Sequence, residues 1–316
     1  MQLIKWFGLL LGAAMATTIH VTPRELAEIR ALAAIPPRIH AALTTFAAQV
    51  SPTGTLLITG LADVVTHIPP TPPDNTAHVG ETTELARIQA VFNHAIGEMV
   101  AYEAEGGGRL FQDIVPNRGL AQTQTSLGSG VELEIHTEQA FSELRPDWLS
   151  LACLRGNPEA RTYILPVGSV LANLTAEEVA MLRRPLWTFG VDMSFKVGGH
   201  EFIGGDIRGP MPILYGDAAD PLWRFDQDLI RGLTPEADQL VARIVEIYYA
   251  RRHAIVLEPG QIVLIDNRRA VHGRSAFTSP FDGTDRFLVR SFVVRDLSAS
   301  AYARDGDSRM IMARHS

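Results

Sequence analysis

Nine residues near the end of the chain, Arg286–Val294 (RFLVRSFVV), form a β-branched and aromatic run that reads as a strand. Successive strand side chains point to opposite faces. Arg286, Leu288, Arg290, Phe292 and Val294 therefore share one face, and Phe287, Val289, Ser291 and Val293 share the other. Two guanidinium groups on one face of an otherwise apolar strand are costly to bury unless anions pair with them. The guanidinium fork is suited to bidentate capture of carboxylate. Whatever this chain folds into must bring carboxylates to that face, either from Glu132 and Glu134 or from bound small molecules.

A second stretch supplies candidate metal ligands. In Val131–Phe141 (VELEIHTEQAF) the alternation puts Val131, Leu133 and Ile135 on one face and Glu132, Glu134, His136 and Glu138 on the other. An imidazole and a carboxylate two residues apart could occupy two corners of an octahedral site. A distant second His would complete a 2-His-1-carboxylate triad with three open positions, the arrangement that suits non-heme Fe(II). His272, beside Gly273 and just beyond the expected strand Ile262–Ile265, is the candidate for the third ligand. The bland readings are a half-exposed polar strand face and a structural histidine. Two inward arginines next to a metal favour the site instead, and imply one carboxylate from a cosubstrate and one from a substrate.

Taken in order, Thr22-Pro23-Arg24-Glu25 marks a helix start that should run to about Ala34, followed by a second helix over Arg38–Val50. Thr55–Thr59 reads as a strand, and the proline-rich His67–Asn75 as a surface loop. Apolar residues at helical spacing predict one long helix over Thr83–Glu105, stopped by Gly106-Gly107-Gly108, with Glu103 and Glu105 at its end. Phe111–Val115 should be a strand, and the polar loop Pro116–Gly130 carries Gln124 and Ser126. Strands are expected over Trp148–Leu154 and Arg161–Leu165, and a capping-box helix begins at Thr175. Trp187–Asp192 and His200–Ile207 alternate around Gly198-Gly199 like a hairpin, and Asp217–Asp228 is an acidic loop. A helix from Thr234 to about Arg252 precedes strands at Ala254–Leu257 and Ile262–Ile265.

The formal charge of −7 and the lack of a basic stripe argue against nucleic acid as a partner. The lone Cys153, in the apolar run WLSLACL, reads as a buried structural thiol. Residues 1–16 form an apolar extension, signal-like or a start-site extension ahead of Met15, and too short to span a membrane. The expectation is no membrane partner, a cytoplasmic enzyme and one α+β domain over residues 17–316, with a homo-oligomer left open.

The segments HTEQAF at 136–141, LIDNRRAVHGRSAF at 264–277 and DGTDRFLVRSF at 282–292, in that order, resemble the clavaminate synthase-like Fe(II)/2-oxoglutarate-dependent dioxygenases. AYEAEGGGRLFQDIVP, QTSLGSGVELEIHTEQAF, RPDWLSLACLRG and FDQDL resemble the bacterial hydroxylases of free L-lysine within that group. The resemblance implies a double-stranded β-helix (jelly-roll, cupin-like) core with flanking helices, and Fe(II), 2-oxoglutarate and O2 as cofactor and cosubstrates. It implies His136, Glu138 and His272 as iron ligands, with Arg286, helped by Thr162, on the distal carboxylate of 2-oxoglutarate. Arg290 and Ser126 would take the substrate α-carboxylate, Glu138 with Glu103 or Glu105 the α-amine, and Gln124 would line the substrate. Asp226 would meet the side-chain ammonium, with Asp217 and Asp220 as weaker candidates. The expected reaction is hydroxylation of free L-lysine at C3 or C4. Alternatives are another free polar L-amino acid (arginine, ornithine, asparagine) or, from a different class, a metal-containing amino-acid-binding β-sandwich without turnover.

Overall fold

The structure is a computed structural model that describes residues 16–32, 34–49, 51–196 and 199–316. The apolar start of the chain, Met15 and Gly198 lie outside the described residues.

Two sheets face each other. The larger runs Thr17–His20, Thr55–Thr59, Ile262–Asp266, Trp148–Arg155, Phe287–Val294, Glu98–Tyr102 and Met310–Ile311, with Gln112–Ile114 also paired to Phe287–Val294. The smaller runs His253–Val256, Arg161–Pro166, Ala270–Arg274 and Leu133–His136. Consecutive strands alternate between them: Trp148–Arg155 leads into Arg161–Pro166, and Ile262–Asp266 turns into Ala270–Arg274. The result is a jelly-roll with helices packed outside it.

The alternation along Phe287–Val294 explains how both of its faces are buried. Phe287, Val289 and Val293 pack with Ile29, Leu43 and Phe92 of the helices Pro23–Leu32, Pro37–Ala48 and Glu84–Ile96. Leu288, Phe292 and Val294 pack between the sheets with Leu149, Ile164 and Ile255. Cys153 belongs to this inner layer, its Sγ 3.6 Å from the Leu257 carbonyl, and burial pushes its thiol up to about 12. The reading as an inert structural thiol holds. The helix starts also follow the sequence: Thr22 and Glu25 cap each other's backbone N–H, as do Thr175 and Glu178.

Three expectations need correction. The helix expected to reach Glu105 ends at Ile96, and Glu98–Tyr102 is a strand. A Cβ on Gly97 would lie 2.3 Å from the Val294 carbonyl, so the chain can pass this close to the sheet only as glycine. Met99, which fits the helical spacing, is a buried strand residue paired to Val293. Gly106, Gly107 and Gly108 are then no helix stop; all three have positive φ and turn the chain after the strand. The return strand opposite Trp187–Gly190 is Ile207–Met211 instead of His200–Ile207. Finally, His272, expected at the exit of the strand Ile262–Ile265, lies inside a further strand, Ala270–Arg274, and is paired in register with both His136 and Ile164.

Candidate active site

The inner face of Phe287–Val294 and the inner face of the smaller sheet enclose a cavity of about 710 Å³. Its walls include His136, Glu138, Thr162, His272, Arg286 and Arg290. The pairing of Leu133–His136 with Ala270–Arg274 sets His136 directly opposite His272, with ring centroids 4.4 Å apart.

Glu138 opens the turn that follows the strand, after one intervening residue, and points the same way. Its Oε1 lies 3.1 Å from His272 Nε2 and 3.9 Å from His136 Nε2. One ligand atom from each of the three residues falls within 4.8 Å of the others. His136 Nδ1 is 2.8 Å from the Glu134 carbonyl, which fixes the ring and leaves Nε2 facing the cluster. Burial, with His272 beside it, lowers the His136 pKa and favours the neutral imidazole that a metal needs. Burial alone would raise Glu138, but Arg290 and the two imidazoles hold it down at about 2. Two imidazole nitrogens and one carboxylate oxygen on one side of a cavity could hold a divalent ion with open positions, so the donor set fits Fe(II).

The Glu138 backbone is held by a residue the sequence did not suggest. Fully buried Asn267, in the turn before Ala270–Arg274, accepts from Glu138 N at 2.7 Å and donates to Glu138 O at 3.1 Å. Its position in the motif DNRRAVHGR is the only signal that could have found it.

The two arginines have opposite surroundings. Arg290 Nη2 donates to Glu105 Oε1 at 2.5 Å, Nε to Gln112 Oε1 at 3.0 Å, and Nη1 reaches Glu138 Oε2 at 3.5 Å. The pairing carboxylates are thus Glu105 and Glu138, not Glu132 or Glu134. Glu132 is bound to Arg252 at 2.5 Å. Burial together with the charge of Glu138 raises the Glu105 pKa in spite of Arg290. Arg286 has no hydrogen bond or ion pair among the described residues, although only 6% of it is exposed. Burial without an anion lowers its pKa to about 10. An unpaired, buried guanidinium on a cavity wall could take a carboxylate through a bidentate pair.

The remaining sequence candidates divide. Ser126, Gln124, Thr162, Glu105 and Asp226 line the cavity with the triad. Gln124 is pinned to the strand by bonds to Glu132 O and Glu134 N. Burial raises Asp226 to about 7, and its Oδ1 accepts from the N–H groups of Asp228 and Leu229. Glu103 does not belong: it is exposed on the far side of the strand end and its carboxylate accepts from Ala313 N. Asp220 is held by Arg269 at 2.5 Å, and Asp217 is exposed on the hairpin formed by Leu214–Gly216 and Pro221–Trp223. Sequence reasoning missed Gln112, the buried acceptor that orients Arg290, and Arg274, a further cavity cation.

A protein-family model described as "Taurine catabolism dioxygenase TauD, TfdA family" matches residues 79–292. The L-lysine 3-hydroxylase of Catenulispora acidiphila is 52% identical over 286 residues, covering 90% of this chain and 80% of that protein. The crystal structure of asparagine oxygenase with Fe(II), 2S,3S-3-hydroxyasparagine and succinate is similar with a TM-score of 0.80 and 31% identity, over 91% of this chain and 88% of that one. The non-heme iron oxygenase OrfP, solved with Fe and alpha-ketoglutaric acid, gives a TM-score of 0.81 at 26% identity, over 93% and 99% of the two chains.

Proposed function

Because the chain belongs to the TauD/TfdA dioxygenase family, with Fe(II) and 2-oxoglutarate as its metal and cosubstrate, we propose that it hydroxylates free L-lysine at C3. Residues 17–316 act in this reading as one domain built on a double-stranded β-helix. A ferrous centre and a single buried thiol suit a cytoplasmic setting.

The observation that carries the proposal is the division of charge in the cavity. Six carboxylates line it (Glu105, Glu134, Glu138, Asp192, Asp226 and Asp228) against three guanidiniums, Arg274, Arg286 and Arg290. Arg274 and Arg286 have no carboxylate partner among the described residues, which suits a dianionic cosubstrate at their end. The acidic excess elsewhere favours a substrate with two ammonium groups over a neutral one such as asparagine. Lysine at C3 is favoured among such substrates by the likeness to the lysine 3-hydroxylase.

His136, Glu138 and His272 would hold the iron. When bound with 2-oxoglutarate and O2, that iron supplies the oxidant that converts a C–H to C–OH as the cosubstrate leaves as succinate and CO2. The protein's part is placement. Arg286, with Thr162 beside it, would fix the distal carboxylate of the cosubstrate. Arg290, already oriented by Gln112, would take the substrate α-carboxylate together with Ser126, while Glu105 and Glu138 receive the α-ammonium. Asp226 would pair with the ε-ammonium at the other end, and Gln124 would close the wall between. Two anchored ends hold one carbon toward the metal, which is how such a site selects a position. Incubation with L-lysine, Fe(II), 2-oxoglutarate and O2 should give a product 16 Da heavier, with NMR placing the hydroxyl on C3. A hydroxyl on C4 would contradict the positional claim.

Asp226 ties substrate binding to stability. Its folded pKa, about 7, lies above the usual 3.8. The folded state therefore holds the proton more tightly, and this group's contribution to stability is lost as pH rises from about 4 through 7. Each tenfold gain in proton affinity is worth about 1.4 kcal/mol, so Asp226→Asn should stabilise the metal-free, substrate-free protein by roughly 2–4 kcal/mol at pH 8. It should flatten the fall of Tm between pH 5 and 8, while raising the KM for lysine by roughly 30–100-fold. A lower Tm at pH 8 would contradict the burial argument.

A further inference from the structure

Arg274 is a third cavity arginine, 5% exposed, with a role that neither the triad nor the two carboxylate sites requires. It sits on Ala270–Arg274, cross-strand from Thr162 and Leu133, two residues beyond His272. Its Nη1 donates to the Ser126 carbonyl at 3.3 Å and its Nη2 to the Val131 carbonyl at 3.2 Å. These carbonyls lie in the connection that covers the cavity between Gln112–Ile114 and Leu133–His136. That connection is otherwise closed largely on itself, as in the bonds from Asn117 N to Leu127 O and from Gly130 N to Ala121 O, with Phe277 N to Ser129 O as a further tie. The guanidinium carbons of Arg274 and Arg286 lie 5.0 and 5.7 Å from the centroid of the same Phe277 ring. Two buried like charges thus share one neighbourhood, with no carboxylate side chain paired to either among the described residues.

We propose that Arg274 is a positioning residue that couples cosubstrate capture to the covering loop 116–132. A dicarboxylate held by Arg286 neutralises the repulsion between the two guanidiniums. The bonds that Arg274 makes to the Ser126 and Val131 carbonyls are then strengthened, and they hold the loop that carries Gln124 and Ser126 in place for the amino acid. The proposal rests on the reading of Arg286 as the cosubstrate's arginine. Without the anion the repulsion from Arg286 weakens those bonds, and the loop is held less firmly. Lysine at this position keeps the charge but lacks the planar fork that spans two carbonyls at once.

The test uses Zn(II)-loaded protein, which binds cosubstrate without turnover, and follows amide hydrogen exchange in residues 117–131 with and without 2-oxoglutarate. In the wild type, 2-oxoglutarate should slow exchange there by roughly tenfold, equivalent to about 1.4 kcal/mol of added protection. In Arg274→Lys the loop should exchange fast in both conditions, with 2-oxoglutarate affinity kept within about threefold and the amino-acid KM raised roughly tenfold at little cost in kcat. Wild-type protein whose loop does not respond to bound 2-oxoglutarate would overturn the proposal, whatever the variant does. So would a variant that keeps wild-type loop protection, or one that loses 2-oxoglutarate as completely as an Arg286 variant, since Arg274 would then be a direct ligand. Failure of the wild type to bind 2-oxoglutarate at all is seen separately in the binding isotherm; it would remove the reading of Arg286 and this proposal with it.

Discussion

His136→Ala should abolish both ferrous iron binding and turnover, with a fall in kcat beyond the roughly 10–100-fold that losing a residue which only orients a metal ligand costs. On the proposed reading the side chain would supply one of three donor atoms that converge within 4.8 Å, and the other two could not close a facial set without it. His136 is carried by Leu133–His136, whose register with Ala270–Arg274 rests on backbone bonds, so the strand pair should survive the substitution. Removing the imidazole also removes a neighbour that helps to hold Glu138 near 2, leaving Arg290 and His272 to keep it ionised. Iron titration, followed through the visible band of the ternary complex with 2-oxoglutarate, reads binding apart from turnover. Full activity with bound iron would remove His136 from the site.

Arg286→Met should move two quantities in opposite directions. The wild-type guanidinium is buried with no anion, so replacing it by an apolar side chain of similar length should raise the Tm of cosubstrate-free protein. The same change removes a charge-assisted, bidentate partner for a carboxylate, worth roughly 2–3 kcal/mol, which corresponds to a KM for 2-oxoglutarate about 30–150-fold higher. The KM for the amino acid should stay within about threefold, because Arg290 is four positions along the strand and held by Glu105 and Gln112. The reverse pattern, with amino-acid KM raised and 2-oxoglutarate KM unchanged, would mean that the two arginines exchange roles.

What could be read in advance was local. Period-two alternation placed Arg286 and Arg290 on one face, and His136 and Glu138 together; Arg286 and Glu138 lie just outside their strands, Phe287–Val294 and Leu133–His136, yet line the same cavity. Capping residues likewise marked helix starts at Thr22 and Thr175. The misses involve partners far apart in sequence. Nothing near Glu105 announces that it will meet Arg290, because that pairing depends on the chain leaving the helix at Gly97 and joining the sheet as a strand. The apolar spacing through Met99 satisfies both helix and strand, and only the close passage of Gly97 by the sheet, where a Cβ would lie 2.3 Å from Val294 O, distinguishes them. Glu103, two residues from Glu105, points to the opposite side of the same segment, a distinction invisible while both seemed to end a helix. Asn267 and Arg274 act through backbone groups of Glu138, Ser126 and Val131, and a carbonyl or N–H has no signature in a sequence. The acidic loop was legible as charge, and the resemblance singled out Asp226, which faces the cavity, over Asp217 and Asp220; that Arg269 takes Asp220 was not legible.

The central claim is that these cavity groups couple 2-oxoglutarate decarboxylation to a free dibasic amino acid. Protein loaded anaerobically with Fe(II) is mixed with O2, 2-oxoglutarate and, separately, L-lysine, L-arginine, L-ornithine and L-asparagine, and succinate is measured against a control without amino acid. The account predicts strong stimulation by L-lysine, weaker by the other cationic amino acids and least by asparagine, with one hydroxylated product per succinate. Succinate formation that no amino acid stimulates, or that asparagine stimulates most, would contradict it.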